Sequence, residues 1–276
     1  MIVLSRALVL SPPAAAFGLN NPILGWQNRL TTGNVAADSE ATGYPVTNVA
    51  NGSTSPLQQW RSGTTAAQYV TVALDEVYTL DYVGLAGHNL GTAGVAVAVE
   101  GHNEPEAETP TWVELVEEFL PADDTPLILR FTAASYAAIR VKFSAGDAAP
   151  RAAVIHVGKL LVMPRRVYVG HTPLPMGRQT TVVTGMSEQG NYLGRIVTGS
   201  QRASDVNFLH LDPAWYRTYF EPFARQAIET PFFWAWRPEA YPLESGYAWL
   251  TNDAVPSNQL GNGMMQVSLS MSGIAV

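Results

Sequence analysis

The sequence YPVTNVANGSTSPLQQWRSG (residues 44–63) leads to QYVTVALDEVYTLDYVGLAGHNL (68–90) and then to GVAVAVEGHN (94–103). In the second segment Val70, Val72 and Leu74 fall on one face of an extended chain, and Tyr69, Thr71 and Ala73 on the other. That alternation is the pattern of a half-buried strand. Asp75-Glu76 predicts an acidic turn, and Leu80 to Leu85 a second strand closed by Gly87-His88-Asn89. Val95, Val97 and Val99 line one face of a third strand. This order predicts a β-sandwich that holds or recognises something, not a catalytic domain.

Outward from this stretch the strand signals continue at Trp112, Leu127 to Phe131, Ala138 to Phe143 and Val154 to Met163. Ile139, Val141 and Phe143 alternate with Arg140 and Lys142, apolar side inward and charges outward. Residues 40–163 thus predict about seven or eight strands with turns every ~8–12 residues, the spacing of a jelly roll. Met163-Pro164-Arg165-Arg166 reads as a boundary. Residues 1–39 read as a short strand, a Pro/Ala connector and a turn-rich loop, expected to pack on the C-terminal domain. In the opening residues Ser5 and Arg6 interrupt the apolar run and no positive charge precedes it, so a strand is expected there and not an export leader.

Residues 164–276 predict a second β-rich domain, with strands at Val167 to Val169, Gln179 to Val183, Tyr192 to Val197, Val206 to Leu211, Pro231 to Trp236, Ala248 to Thr251 and Met265 to Met271. Its one helix, over about residues 213–228, starts at Asp212-Pro213. Asp accepts hydrogen bonds from the free amides of a first turn, and Pro fits the first helical position. Trp215, Tyr219 and Phe223 stack along one helix face, and Pro222 is expected to kink or shorten it. The fold class is predominantly all-β.

Hydrophobic residues make up 47% of the 276 and charged residues 14%, against disorder and in favour of surface covered by neutral groups or partner subunits. A net charge of −7 argues against nucleic-acid recognition. Lys142 and Lys159 are the only lysines; the arginines in their place suit fixed pairing and interfaces. With no cysteine, disulfides, thiolate metal sites and cysteine nucleophiles are excluded. No apolar run reaches the ~18 residues of a membrane-spanning helix.

His88 and His102 each sit in Gly-His-Asn, a good turn sequence, with ligand contact as the other reading. No two histidines stand at helical metal-binding spacing, and no metal or cofactor is expected. Carboxylates gather at Glu104, Glu106, Glu108, Glu114, Glu117, Glu118, Asp123 and Asp124; they read as a solvated acidic rim, with calcium binding or catalysis as the alternatives. No G-x-S-x-G, P-loop or G-x-G-x-x-G occurs, and the chain is not expected to be an enzyme. Trp60-Arg61 after the long polar loop reads as a plug at one end of the sandwich, with Arg61 bracing that loop or meeting a partner carboxylate. The aromatic run Phe232, Phe233, Trp234 and Trp236 fills a core or a subunit interface, or stacks on sugar rings.

Pro45 to Asn48, Trp60-Arg61-Ser62, Tyr69 to Leu74, Leu80 to Asn89, Trp112 to Leu115, Ala137 to Val141 and Gly158-Lys159-Leu160 come in an order that resembles the discoidin-like, galactose-binding jelly roll. The disulfide common in extracellular members is missing. Gly-His-Asn-Leu at 87–90, Arg178 to Thr184, Pro231 to Trp234, the Trp249 strand and Met265 to Leu269 resemble tail-tip ring proteins of long-tailed phages, the distal-tail or baseplate proteins. That resemblance implies a structural virion protein, made in the host cytoplasm, forming a trimeric or hexameric ring between tail tube and tail hub. The alternative is a carbohydrate-binding module for a host surface glycan. Trp60, Arg61, His88 and Asn89 are the candidate ligand-binding residues, and Phe232, Phe233, Trp234 and Trp236 the candidate subunit interface.

Overall fold

The computed structural model describes residues 1–10, 14–105, 107, 109–167, 170–259, 261 and 263–274. In chain order the strands of its N-terminal part are β1 (Ile2–Leu4), β2 (Ile23–Gly25), β3 (Val35–Ala37), β4 (Trp60–Arg61), β5 (Gln68–Ala86), β6 (Val97–His102), β7 (Val113–Phe119), β8 (Leu127–Phe143), β9 (Arg151–Ala152), β10 (Val154–Gly158) and β11 (Leu161–Val162). There follow β12 (Arg178–Met186), β13 (Tyr192–Leu211), β14 (Phe232–Ala235), β15 (Ser245–Leu250), β16 (Pro256–Asn258) and β17 (Met265–Ile274). The expected strand at Val167 to Val169 lies partly outside the described residues.

The jelly roll is a seven-stranded sheet, β10-β5-β8-β6-β7 with β1 on β8 and β3 on β5. Its long strands β5 and β8 pair along most of their length and are bent, so both halves of each face one core. Val70 and Val72 from the first half of β5 meet Val83 and Leu85 from the second in that core. Here the chain departs from the expected turn at Asp75-Glu76. The strand runs through it, and only the pairing is interrupted, between Ala73 and Tyr78. Leu127 to Phe131 and Ala138 to Phe143 likewise join into one strand. Bulges bend a strand without ending it, which is how one pair of long strands can line the core with both halves.

The second sheet has eight strands in the order β11-β2-β14-β15-β17-β13-β12, with β16 on β17. A helical run covers it: Pro213–Trp215, a π turn at Tyr216–Phe220, then Glu221–Gln226. Asp212 Oδ1 accepts from the amides of Ala214 and Trp215 at 2.9 and 2.8 Å, as an N-cap should. Pro222 has no amide hydrogen to give and its ring crowds the preceding turn. The wider π turn just before it accommodates that conflict and shortens the α-helical run to Glu221–Gln226.

Residues 1–39 do not pack as one piece on the C-terminal domain. β1 runs parallel to β8 and β3 antiparallel to β5, both in the jelly roll, while β2 lies between β11 and β14 in the second sheet. β11, at the end of the expected jelly roll, also belongs to the second sheet. The chain crosses between the units several times, and a shared layer joins them. Ile2, Tyr82, Ile128 and Val154 of the jelly roll pack on Ile23, Phe233, Ala235 and Tyr247 of the second sheet. Glycine makes the close approach possible: a Cβ at Gly84 would lie 2.4 Å from the Phe233 ring, and one at Gly25 2.7 Å from the Tyr82 ring.

Candidate functional site

β14 shows where the aromatic run goes in the single chain. As an inner strand it is covered on both faces: Phe232 and Trp234 join the second sheet's core with Phe220 and Phe223, and Phe233 and Ala235 enter the shared layer. Trp236 is half-buried, its ring stacked on Tyr241 and its Nε1 donating to Glu244 at 2.5 Å. Phe232, Phe233 and Trp234 are fully buried within the chain, and of the four only Trp236 keeps some exposed surface.

Of the ligand-binding candidates, Trp60, His88 and Asn89 are held by partners within the chain, and Arg61 is half-buried with its Nε left without a hydrogen-bond partner. Trp60 is fully buried against Phe143, ring centroids 5.4 Å apart, and donates from Nε1 to the Ser39 carbonyl. The Arg61 guanidinium sits 3.9 Å over the Tyr44 ring and reaches the Pro56 carbonyl, bracing the polar loop. His88 donates from Nε2 to the Thr125 carbonyl and accepts the Leu90 amide on Nδ1. Burial pushes its pKa down to about 4, which keeps it neutral and suited to those two roles. Asn89 bridges the Ala149 carbonyl and the Arg151 amide. The Gly-His-Asn turn is therefore a fastening, with no polar group of His88 or Asn89 left for a ligand. Part of the acidic rim is spent in a similar way. Glu118 pairs with Lys142 at 2.8 Å, Asp123 and Asp124 fix the turn through Thr125 and Thr92, and Glu106 and Glu108 lie outside the described residues.

Two features remain open to a partner. One is the hairpin β12–β13. β13 pairs with β17 only from Arg202 onward; its first half, Tyr192 to Gln201, pairs with β12 alone. The hairpin therefore leaves the sheet as a two-stranded arm. Gly190, at φ +80°, turns its tip, closed by the Gly190 amide on the Ser187 carbonyl. At the arm's base Gly177 lies so close to β13 that a Cβ there would meet the Ala203 carbonyl at 1.7 Å. Val182 opposes Val197, and Val183 opposes Ile196, so successive apolar pairs cover opposite faces. Leu193 and Ile196 are 68% and 69% exposed. A two-stranded ribbon with apolar residues on both faces is marginal by itself in water, and contiguous exposed apolar surface of this kind marks a binding face. Residues 178–202 carry Arg178, Arg195 and Arg202 against Glu188, a net +2. The remainder of the chain is then −9 within the total of −7.

The other feature is a cleft of about 530 Å³ where the two sheets meet, under the N-terminal segment and beside the helical run. A bulge builds it. β5 and β8 pair at Leu80–Ala134 and again at Tyr82–Arg130, leaving Asp81 facing a looser stretch of β8. The cleft's charged lining is Asp81, Arg130 and Lys159, and its aromatic walls are Trp26, Trp215 and Tyr219. Asp81 Oδ1 accepts the Leu160 amide at 2.7 Å, yet burial pushes its carboxyl up to about 6. Asp81 and Arg130 were detectable only as lone charges inside the apolar runs TLDYV and LILRF.

A mostly β chain of a jelly roll fused to a second sheet is the class that these features define. Neither a protein-family model nor a curated protein matches it. The solved structures it matches include jelly-roll carbohydrate-binding modules. Chitosan-binding module 1 of a chitosanase/glucanase from Paenibacillus sp. IK-5 is 19% identical over 48% of this chain and 98% of the module, with a TM-score of 0.41. A pectin-binding carbohydrate-binding module is 16% identical over 48% of this chain and 91% of its own, TM-score 0.37. A Clostridium perfringens module solved with GalNAc-beta-1,3-galactose is 14% identical over 47% and 98%, TM-score 0.39. At such scores the likeness carries no argument about function. Among the described residues no helix is long and apolar enough to cross a membrane.

Proposed function

We propose that this chain is a non-catalytic structural protein of a phage tail tip, assembling with copies of itself into a ring in the virion. The observation that carries the reading is the arm. It is apolar on both faces, solvent-exposed in the single chain, and positive against an acidic remainder. An arm of one surface docking on a different surface of the next copy is a heterologous contact, and such contacts close into rings. The opposite charges steer arm to body and disfavour arm-to-arm pairing. The rigid two-sheet body supplies the platform, and tail tube and hub proteins are the neighbours the phage resemblance implies.

The test is the native mass of the full chain across concentration, with Ile196→Asp as the arm variant. A discrete closed oligomer, trimer or hexamer, is the expected result, and the variant should be folded and monomeric. A wild-type chain that stays monomeric at the highest soluble concentration would overturn self-assembly. Imaging of tails with labelled protein then locates it; absence from the tail end would overturn the virion assignment.

A second reading, contact with a host surface glycan, is favoured by the junction cleft, where aromatic walls stand beside polar groups as in sites that stack sugar rings. A screen of glycans against the full chain tests it.

A further inference from the structure

The junction cleft contains a buried cation whose hydrogen-bond donors the chain does not fill. Arg130 is 1% exposed, lines the cleft, and leaves its Nε and Nη1 without a hydrogen-bond partner. A buried guanidinium with idle donors is costly, and the nearby charge of Asp81 offsets part of that cost without filling those donors. Asp81 shares the cleft, but no ion pair joins the two, and its Oδ1 is taken by the Leu160 amide. Lys159, one of only two lysines, stands exposed at the same opening, so the cationic groups outnumber the single carboxyl.

A complementary ligand must therefore be anionic, and the fork of a guanidinium matches a planar carboxylate better than a point charge. The remaining lining narrows the class. Thr79, Ser135, Thr218 and Gln27 bring short neutral hydrogen-bonding groups, suited to hydroxyls. Trp26, Trp215 and Tyr219 bring flat apolar faces. The volume falls in the range of small-molecule sites, roughly 300–1,000 Å³. Charge, hydroxyl partners and flat walls occur together in one ligand type. We infer that the junction cleft binds a sugar bearing a carboxylate, with Arg130 holding the carboxylate, Lys159 at the rim, and the tryptophans against the ring. This inference rests on the glycan reading above and narrows it to acidic sugars at a named place. It is independent of ring formation.

Calorimetric titration of the full chain with a uronate disaccharide, the matching neutral disaccharide and a short acidic peptide tests it. The uronate should bind at least about tenfold tighter than the neutral sugar, the worth of a charge-assisted hydrogen bond. Arg130→Gln should erase that difference. Because Arg130 is buried and the variant could fail to fold, exposed Lys159→Gln is the second probe. It should weaken the uronate a few-fold and leave the neutral sugar unchanged. Equal binding of uronate and neutral sugar overturns the inference while keeping the glycan reading. Equal binding of the peptide overturns the assignment to sugars. If no sugar binds, both the glycan reading and this inference fall, and the oligomer measurement still decides the ring.

Discussion

β5 and β13 are the two longest strands, 19 and 20 residues, and they are used in opposite ways. β5 has β8 along one side and β3 and β10 along the other, with both halves facing the jelly-roll core. β13 is built like that only from Arg202 to Leu211, where Val206, Phe208 and Leu211 are buried. Its first half has one partner and no core. Similar runs of Val, Leu and Ile thus end in one case as interior and in the other as surface. What separates them is the number of neighbouring strands, not residue type. An apolar strand that its own chain does not cover is what the proposed self-assembly would use.

The contrast is sharpest in stability. Phe233→Ala, in the layer that β5 shares with the second sheet, removes a fully buried ring and should cost about 3–5 kcal/mol, read from urea unfolding. A loss under about 1 kcal/mol would mean that the two units are not held by that layer.

Acid should act next, and only through the body. His88 and His156 have folded pKa values of about 4 against an ordinary 6.5, both lowered chiefly by burial. The unfolded chain takes up protons first, so their contribution is intact above about 6.5 and is lost as pH falls toward 4, up to roughly 3 kcal/mol each. The Met1 amine, lowered by burial to about 5, acts with the same sign between pH 8 and 5. Asp81 opposes them. Its carboxyl is raised to about 6, so its burial penalty is relieved as pH falls from 6 toward its ordinary 3.8. His102 and His171, also lowered chiefly by burial, act in the same direction as the other two histidines, so the balance is a net loss of stability from pH 7 to pH 4.5. His156→Gln should flatten that slope, and a slope unchanged in the variant would contradict the assignment.

Gly84→Ala comes third. Its Cβ would lie 2.4 Å from the Phe233 ring, and overpacking of this kind costs about 1–3 kcal/mol. The smallest effect belongs to the arm: Ile196→Asp, compared at concentrations where both proteins are monomeric, should change unfolding free energy by no more than about 0.5 kcal/mol. A large loss would show that the arm is packed on its own body and would remove the basis for the ring.

Much of the body was legible from sequence because burial on one face writes a period of two into β5, β8 and β17. The N-cap at Asp212 was legible because its chemistry is local. The aromatic run of β14 was ambiguous for a physical reason. A strand covered on both faces loses the alternation that would say which side is inside, so core and interface read alike. The arm was hidden by the same loss in reverse: Val182-Val183 and Ile196-Val197 look like an interior strand, and only the missing neighbours reveal otherwise. Trp60, His88 and Asn89 stood out as ligand candidates by residue type, and three-dimensional pairing spent them on the turn they close. The Asp81–Arg130 cleft needed the bulge between two strands distant in sequence, which no single segment records.

The junction between arm and body also has a mechanical side. β13 continues without a break from the exposed ribbon into its antiparallel pairing with β17, from Arg202↔Gly273 to Phe208↔Val267. A pull along the arm therefore arrives parallel to those strands. It loads their ladder of hydrogen bonds together in shear, where peeling would open them one at a time. The glycine-seated layer behind that sheet resists rotation of one unit on the other. A tug on the arm would pass into the body with little give, as through a short rigid lever.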